Sequence, residues 1–141
     1  RSKATSNICT NQGLVVTAAT QYMALMGPQG LAKVASASHA STVLLADKLA
    51  AIPTVSRAFV SPFFHEVVLK INDNASDVLR ALRAQGILGG LDISGWYPEL
   101  GQAILVCATE TKTAADLEHY AQHMERILSK RREAPPCAYK S

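Results

Sequence analysis

A chain of 141 residues suits one domain, or part of a larger one. With 48% hydrophobic and 18% charged residues it is no disordered chain, and 6% aromatics argues against a base-stacking nucleic-acid platform. The net charge of +3 is local, since residues 126–141 hold five basic groups against one acid; this is a basic tail, not a basic binding face, and neither nucleic acid nor a membrane span is expected.

Thr5, Ser6 and Asn7 are good N-cap types, and Ile8 to Met26 runs without a charge or a proline. The stretch predicts a long helix, weakened at Gly13, with apolar residues on more than one stripe. A helix apolar on most sides must be covered on most sides, so a missing neighbour is expected. Gly27-Pro28-Gln29-Gly30 predicts a stop, and residues 29–51 a second helix with Leu31, Val34, Ala35, Ala37, Val43, Leu44, Leu45 and Leu49 as core positions. Residues 55–60 predict a short strand. Phe64–Ile71 predicts a stronger one, with His65, Val67, Leu69 and Ile71 on one face. A turn at Asn72-Asp73-Asn74 leads to a short helix over 75–85 with Val78, Leu79 and Leu82 inward, followed by Gly86. The Gly-rich connection after it is read with a short strand near Ile87, and Ala103–Thr109 as a buried strand. Residues 112–129 predict the last helix, capped by Thr111 or Thr113, with Leu117, Tyr120, Met124, Ile127 and Leu128 inward. The fold class that follows is α+β, a small and mainly antiparallel sheet covered by helices on one face. Residues 1–26 read as a linking segment and helix, 27–130 as the α+β body, and 131–141 as a basic flexible tail.

Cys9, Cys107 and Cys137 are odd in number and widely spaced, with no CxxC pair. This argues against a zinc site and fits a reducing, cytoplasmic setting. The N-terminus has neither a signal-peptide pattern nor an initiator Met, and is expected to begin in mid-protein. His119 and His123 stand four apart but lack a third ligand, so they read as an exposed helix face and no metal is expected. His65 reads as a hydrogen-bonded core or interface histidine, and Cys107 as a small buried hydrophobe. Gly86, Gly89 and Gly90 read as permitting a tight backbone path, and Trp96-Tyr97-Pro98 lies on a loop. Cys9 sits in the first turn of a helix with Arg1 and Lys3 nearby, among Thr5, Ser6, Asn7 and Thr10. Free N–H groups there suit an anion or phosphate contact, with plain N-capping as the alternative. No nucleophile, base and orienting group converge in the sequence, and no lysine stands in a Schiff-base context.

The segments KATSNICT, GPQGL, HASTVLLADKLAAIP, SPFFHEVVLKI and GILGGLDISGWYPELGQAILVCATE resemble glycine decarboxylase, the P-protein of the glycine cleavage system. The resemblance covers nearly the whole chain. It is to the C-terminal portion of the first subunit, in forms split into two; the N-terminal half of a single-chain P-protein stands next. It implies the C-terminal small domain of a fold-type I, pyridoxal phosphate (PLP)-dependent enzyme, with a long N-terminal linking helix, like the small domain of an aminotransferase. The implied activity of the whole enzyme is glycine catabolism: decarboxylation of glycine with PLP as electron sink, and transfer of the aminomethyl group to the lipoyl arm of H-protein. The Schiff-base lysine is expected on a companion P-protein subunit, and PLP mainly outside this chain. Alone, this portion is expected to be inactive, with no residue given a catalytic step. Only Thr5, Ser6, Asn7, Cys9 and Thr10 carry over as positions close to the active site.

Two other readings compete. One is an independent α+β interaction or ligand-binding module without catalysis. The other is a thiol enzyme using Cys9 with a histidine.

Overall fold

A computed structural model of the chain describes residues 12–133. The elements in order are α1 (Gly13–Ala50), β1 (Val55–Arg57), β2 (Glu66–Ile71), α2 (Ala75–Arg83), β3 (Leu91–Asp92), a 3-10 turn (Pro98–Leu100), β4 (Ala103–Cys107) and α3 (Ala114–Glu133). The chain divides into two compact units, one up to Ala35 and one from Ser36.

The first unit holds the beginning of α1. The two helices expected on either side of Gly27 follow one another with no loop between them, and Gly27 alone leaves helical geometry at φ 62 and ψ 178. Only glycine adopts that pair readily, and Pro28 has no N–H to lose, so the break needs no connecting residues. The expected weak point Gly13 is the first residue of the helix. Around it Leu14, Val15, Val16, Tyr22, Met23 and Leu25 are exposed.

The second unit is built on an antiparallel sheet in the order β1-β2-β4-β3. Its register pairs Val67 with Val106 and Leu69 with Ile104, and β1 joins with Val55 opposite Ile71. Because side chains alternate, these residues form one buried face. Leu45 and Leu49 of α1, Val78 and Leu82 of α2, and Leu117, Tyr120, Met124 and Leu128 of α3 belong to the same core. Val68 and Leu105, on the other face, stay outside it and half-buried. Burying each large aliphatic side chain contributes about 1.5–3 kcal/mol, so this one-sided core is the main source of cohesion.

Each helix of this unit is set by local chemistry. Asn74 caps α2, its side chain accepting the Asp77 N–H at 3.0 Å. Thr113 caps α3: Asp116 N–H donates to Thr113 Oγ1 at 3.2 Å, while Thr113 N–H donates to Asp116 Oδ2 at 2.8 Å, a reciprocal capping box. The inward rows are Ala75, Val78 and Leu82 on α2 and Leu117, Tyr120, Met124 and Leu128 on α3, the spacing expected of a 3.6-residue period.

Several boundaries differ from expectation. The short strand near Ile87 is at Leu91–Asp92 instead, because Leu91 and Asp92 are the residues that face Leu105 and Ile104. α3 continues to Glu133, past the expected start of the tail at 131, and Arg131 holds Asp73 at 3.0 Å. The buried stripe of α1 in this unit is Ser38, Thr42, Leu45, Ala46 and Leu49; Leu31, Ala37 and Leu44, expected inside, are exposed.

Candidate functional site

Ser38 and Thr42 lie one turn apart on α1 and face the ends of two strands. Thr42 Oγ1 donates to the carbonyls of Ala108 at 2.8 Å and His65 at 3.1 Å, and accepts the Ala108 N–H at 3.0 Å. Ser38 Oγ donates to Glu110 Oε2 at 3.1 Å and accepts the Glu110 N–H at 3.2 Å. The two hydroxyls therefore replace water at the exit of β4 and the entry to β2. His39 Nδ1 lies 2.6 Å from the Phe64 carbonyl, and its ring stacks on Phe64.

Beyond this junction β4, the start of α3 and the connection after α2 enclose a cleft of about 440 Å³. Its floor is apolar, with Leu45, Ile87 and Leu117; Cys107, Thr109, Lys112 and His119 bring polar groups. Two further polar groups at the cleft are already engaged. Asp116 has its pKa lowered, first by the Thr113 N–H and then by its hydroxyl. Tyr120 is buried, and its hydroxyl donates to the Gly89 carbonyl at 2.5 Å. Burial, then the neighbouring Cys107, pushes the phenol up, so it serves as a fixed donor and not as a base.

The Gly-rich connection forms one wall. Gly90 has φ +131, and a Cβ there would sit 2.4 Å from the Leu105 carbonyl oxygen. This glycine lets backbone lie against backbone. On the far side of α2, Asp92 accepts from Ser76 Oγ and from the Ser94 N–H, which lower its pKa.

The expected site residues Thr5, Ser6, Asn7, Cys9 and Thr10 lie outside the described residues. Cys107 is exposed at the end of β4, not buried, because alternation turns it away from the core face. His65 is half-buried next to β2, and its Nδ1 is buried with no hydrogen-bond partner among the described residues. His119 and His123 meet edge to face at 4.4 Å; burial, then His119 and Arg126, lowers the His123 pKa. Among the described residues no group of three His, Cys, Asp or Glu could hold a metal ion, and no helix is long and apolar enough to cross a membrane. Trp96 and Tyr97 are exposed. Ser38, Thr42 and Lys112 were not visible as site residues. The signal for the first two is that they continue the spacing of Leu45 and Leu49 backwards along α1.

Comparison with known proteins gives a consistent set of relatives. The family model of the glycine cleavage system P-protein matches residues 1–124. A probable glycine dehydrogenase (decarboxylating) subunit 1 of Thiobacillus denitrificans is 83% identical over all of this chain, which covers 32% of that protein. The protein of the same description in Nitrosomonas europaea is 57% identical over 92% of this chain and 28% of its own length. The chain thus spans about a third of the curated relatives it matches. A crystal structure of glycine decarboxylase (P-protein), in inhibitor-bound form, superposes with a TM-score of 0.80 at 31% identity, over 91% of this chain and 29% of that one.

Proposed function

The chain belongs to the P-protein family of the glycine cleavage system, and from that premise we propose that it is one portion of a glycine dehydrogenase (decarboxylating) subunit 1. The single observation behind this reading is an 83% identity that runs the whole length of the chain. The proposed reaction of the assembled enzyme is decarboxylation of glycine, with the aminomethyl group passed to lipoylated H-protein. The proposed partners are a companion P-protein subunit, H-protein and glycine, and the proposed setting is the cytoplasm.

PLP, in the assembled enzyme, supplies the electron sink for the bond that breaks. The described residues do not fit that cofactor. Lys48 is tied to Glu118 at 2.6 Å, Lys70 is half-buried in β2, and Lys33 and Lys130 stand exposed on helices. Lys112 alone reaches the large cleft. At the helix N-terminus beside it, the Asp116 carboxylate accepts from the Thr113 N–H and hydroxyl. The proposed contribution of this chain is shape: an apolar cleft floor and a rigid set of capped helices.

The test is glycine-dependent CO2 exchange with lipoylated H-protein and PLP. The expected result is no exchange from the 141-residue chain or from full-length subunit 1 alone, and exchange when subunit 1 is co-expressed with its companion. Exchange by the 141-residue chain alone, or none from the assembled pair, would overturn the reading.

A further inference from the structure

His119 and His123 stand on α3 without a structural duty. Other polar side chains of that stretch are committed: Asp116 closes the helix cap, Glu118 holds Lys48, and the Tyr120 hydroxyl fixes the Gly89 carbonyl. Neither imidazole has a hydrogen bond or an ion pair among the described residues, and the ring contact of each is with the other. Spacing alone, without a third ligand, reads as an exposed helix face. The structure adds that the two rings already meet.

Residues four apart on a helix lie on one face, one turn above the other, which is the spacing by which a helix presents two histidines to one zinc ion. An imidazole nitrogen binds zinc at about 2.0–2.1 Å, which puts each ring centre about 3.2 Å from the ion; two rings meeting it at about 90–109° then have centres about 4.5–5.2 Å apart. The His119 and His123 ring centres are 4.4 Å apart, with the planes inclined at 61°. Turning the two side chains closes the pair on an ion, with no change in the main chain. The platform is rigid, because Leu117, Tyr120 and Met124 bury the opposite side of the same turns and the Thr113–Asp116 box fixes the start of the helix. Ligands held in place in advance lose little freedom on binding. Asp116 and Arg126 stand a turn before and a turn after the pair, so their opposite charges offset one another. Burial, then His119 and Arg126, lowers the His123 pKa and favours the neutral ring, the form that ligates a metal. Mg2+ and Ca2+ ask for oxygen ligands, whereas imidazole suits zinc, nickel and copper.

We propose that His119 and His123 form a two-imidazole site for a late first-row divalent ion, of the Zn2+ and Cu2+ class, at the rim of the cleft that His119 lines. Water, or a donor from outside this unit, fills the remaining positions on the ion. The site stands apart from the glycine reaction and does not rest on that reading of the chain.

The test is modification of the full-length protein by diethyl pyrocarbonate, with each histidine read by peptide mass spectrometry in the presence and absence of micromolar Zn2+. The expected result is that Zn2+ slows modification of both His119 and His123 about tenfold, that Cu2+ at the same concentration slows it further, and that Mg2+ does not. His119→Asn should remove the zinc protection of His123, and His123→Asn that of His119. Adding Gln122→His to the His123→Asn protein puts a histidine three residues from His119 on the same face, and should restore protection of His119. Rings of the unsubstituted protein that Zn2+ leaves unprotected would overturn the proposal, whether or not the variants fold. Rings that resist the reagent before any metal is added are covered, and would overturn it too. Protection that survives loss of the other ring would mean two separate single-histidine contacts, against a shared ion. Protection that needs millimolar zinc would mean an adventitious ion only, and would equally end it.

Discussion

Replacing Thr42 by valine keeps the size and branching of a fully buried side chain and removes only its hydroxyl. Valine and threonine have similar helix propensities, so the backbone of α1 is not taxed. What changes is Ala108, whose N–H and carbonyl both rely on that hydroxyl and which is 3% exposed. A buried donor or acceptor left without a partner costs about 1–3 kcal/mol. The stranded N–H takes the larger share, since a carbonyl retains a second lone pair. Together the loss is about 2–4 kcal/mol, to be set against a total of about 5–15 kcal/mol for a domain of ordinary stability. Thr42→Ser keeps the hydroxyl and gives up one methyl, at a cost of about 1 kcal/mol. The assay is equilibrium urea unfolding of the three proteins, with midpoints compared at constant slope. The prediction is an order: wild type, then Thr42→Ser, then Thr42→Val well below. A valine variant as stable as wild type, or more stable than the serine one, would refute the idea that this hydroxyl holds the strand end.

The remaining predictions rest on separate features. Gly90→Ala combines a positive φ with an overlap on the Leu105 carbonyl and should cost about 3 kcal/mol or more, whereas Gly95→Ala, with open space around it, should stay within about 1 kcal/mol in the same urea assay. Tyr120→Phe strands the Gly89 carbonyl and should cost about 1–2 kcal/mol; in an ultraviolet titration of the wild type, Tyr120 should ionise above the usual phenol range. Asp92 and Asp116 have folded-state pKa values below the ordinary 3.8, so each stabilises the fold while ionised in the folded state. That contribution is complete above the ordinary value and is lost as pH falls through the folded-state values. Stability should therefore decline below about pH 4, and Asp116→Asn, which is already deprived of the charge, should show a shallower decline in acid denaturation followed by circular dichroism.

The sheet was legible because β2, Val68 apart, alternates apolar with charged residues and β4 is a short apolar run. The helices were legible in period but not in what they bury. Counting apolar residues placed Leu31 and Leu44 inside, where the fold places Ser38 and Thr42. A hydroxyl reads as polar in sequence, yet it is the group a buried strand end requires, and that demand exists only once Ala108 and Glu110 arrive from sixty or more residues away. Cys107 misled for the opposite reason. It is apolar in character and sits in a buried strand, but as the last residue of β4 it alternates away from Val106 and is exposed. The short strand at Leu91–Asp92 carries no pattern of its own, being fixed by the Leu105 and Ile104 edge it meets. KATSNICT was informative as a resemblance, while its residues lie outside the described structure, so the site they suggest stays a proposal.

The use made of polar side chains in the second unit bears on what this chain contributes. Ser38, Thr42, Ser94 and Tyr120 each bond main-chain groups, and Asn74 and Thr113 cap helices. Asp116 closes its own cap, and Glu118 is held below the usual carboxylate range first by Lys48. A group engaged in this way is poor at moving protons, because transferring one would break the contact that fixes the backbone. Groups of the opposite character, lining the cleft without a structural duty of this kind, are Lys112, Cys107 and His119, all three exposed. Chemistry on glycine needs an acid or base whose proton is free to leave and a cofactor anchored beside it. The second unit instead turns its polar groups to holding main chain in place.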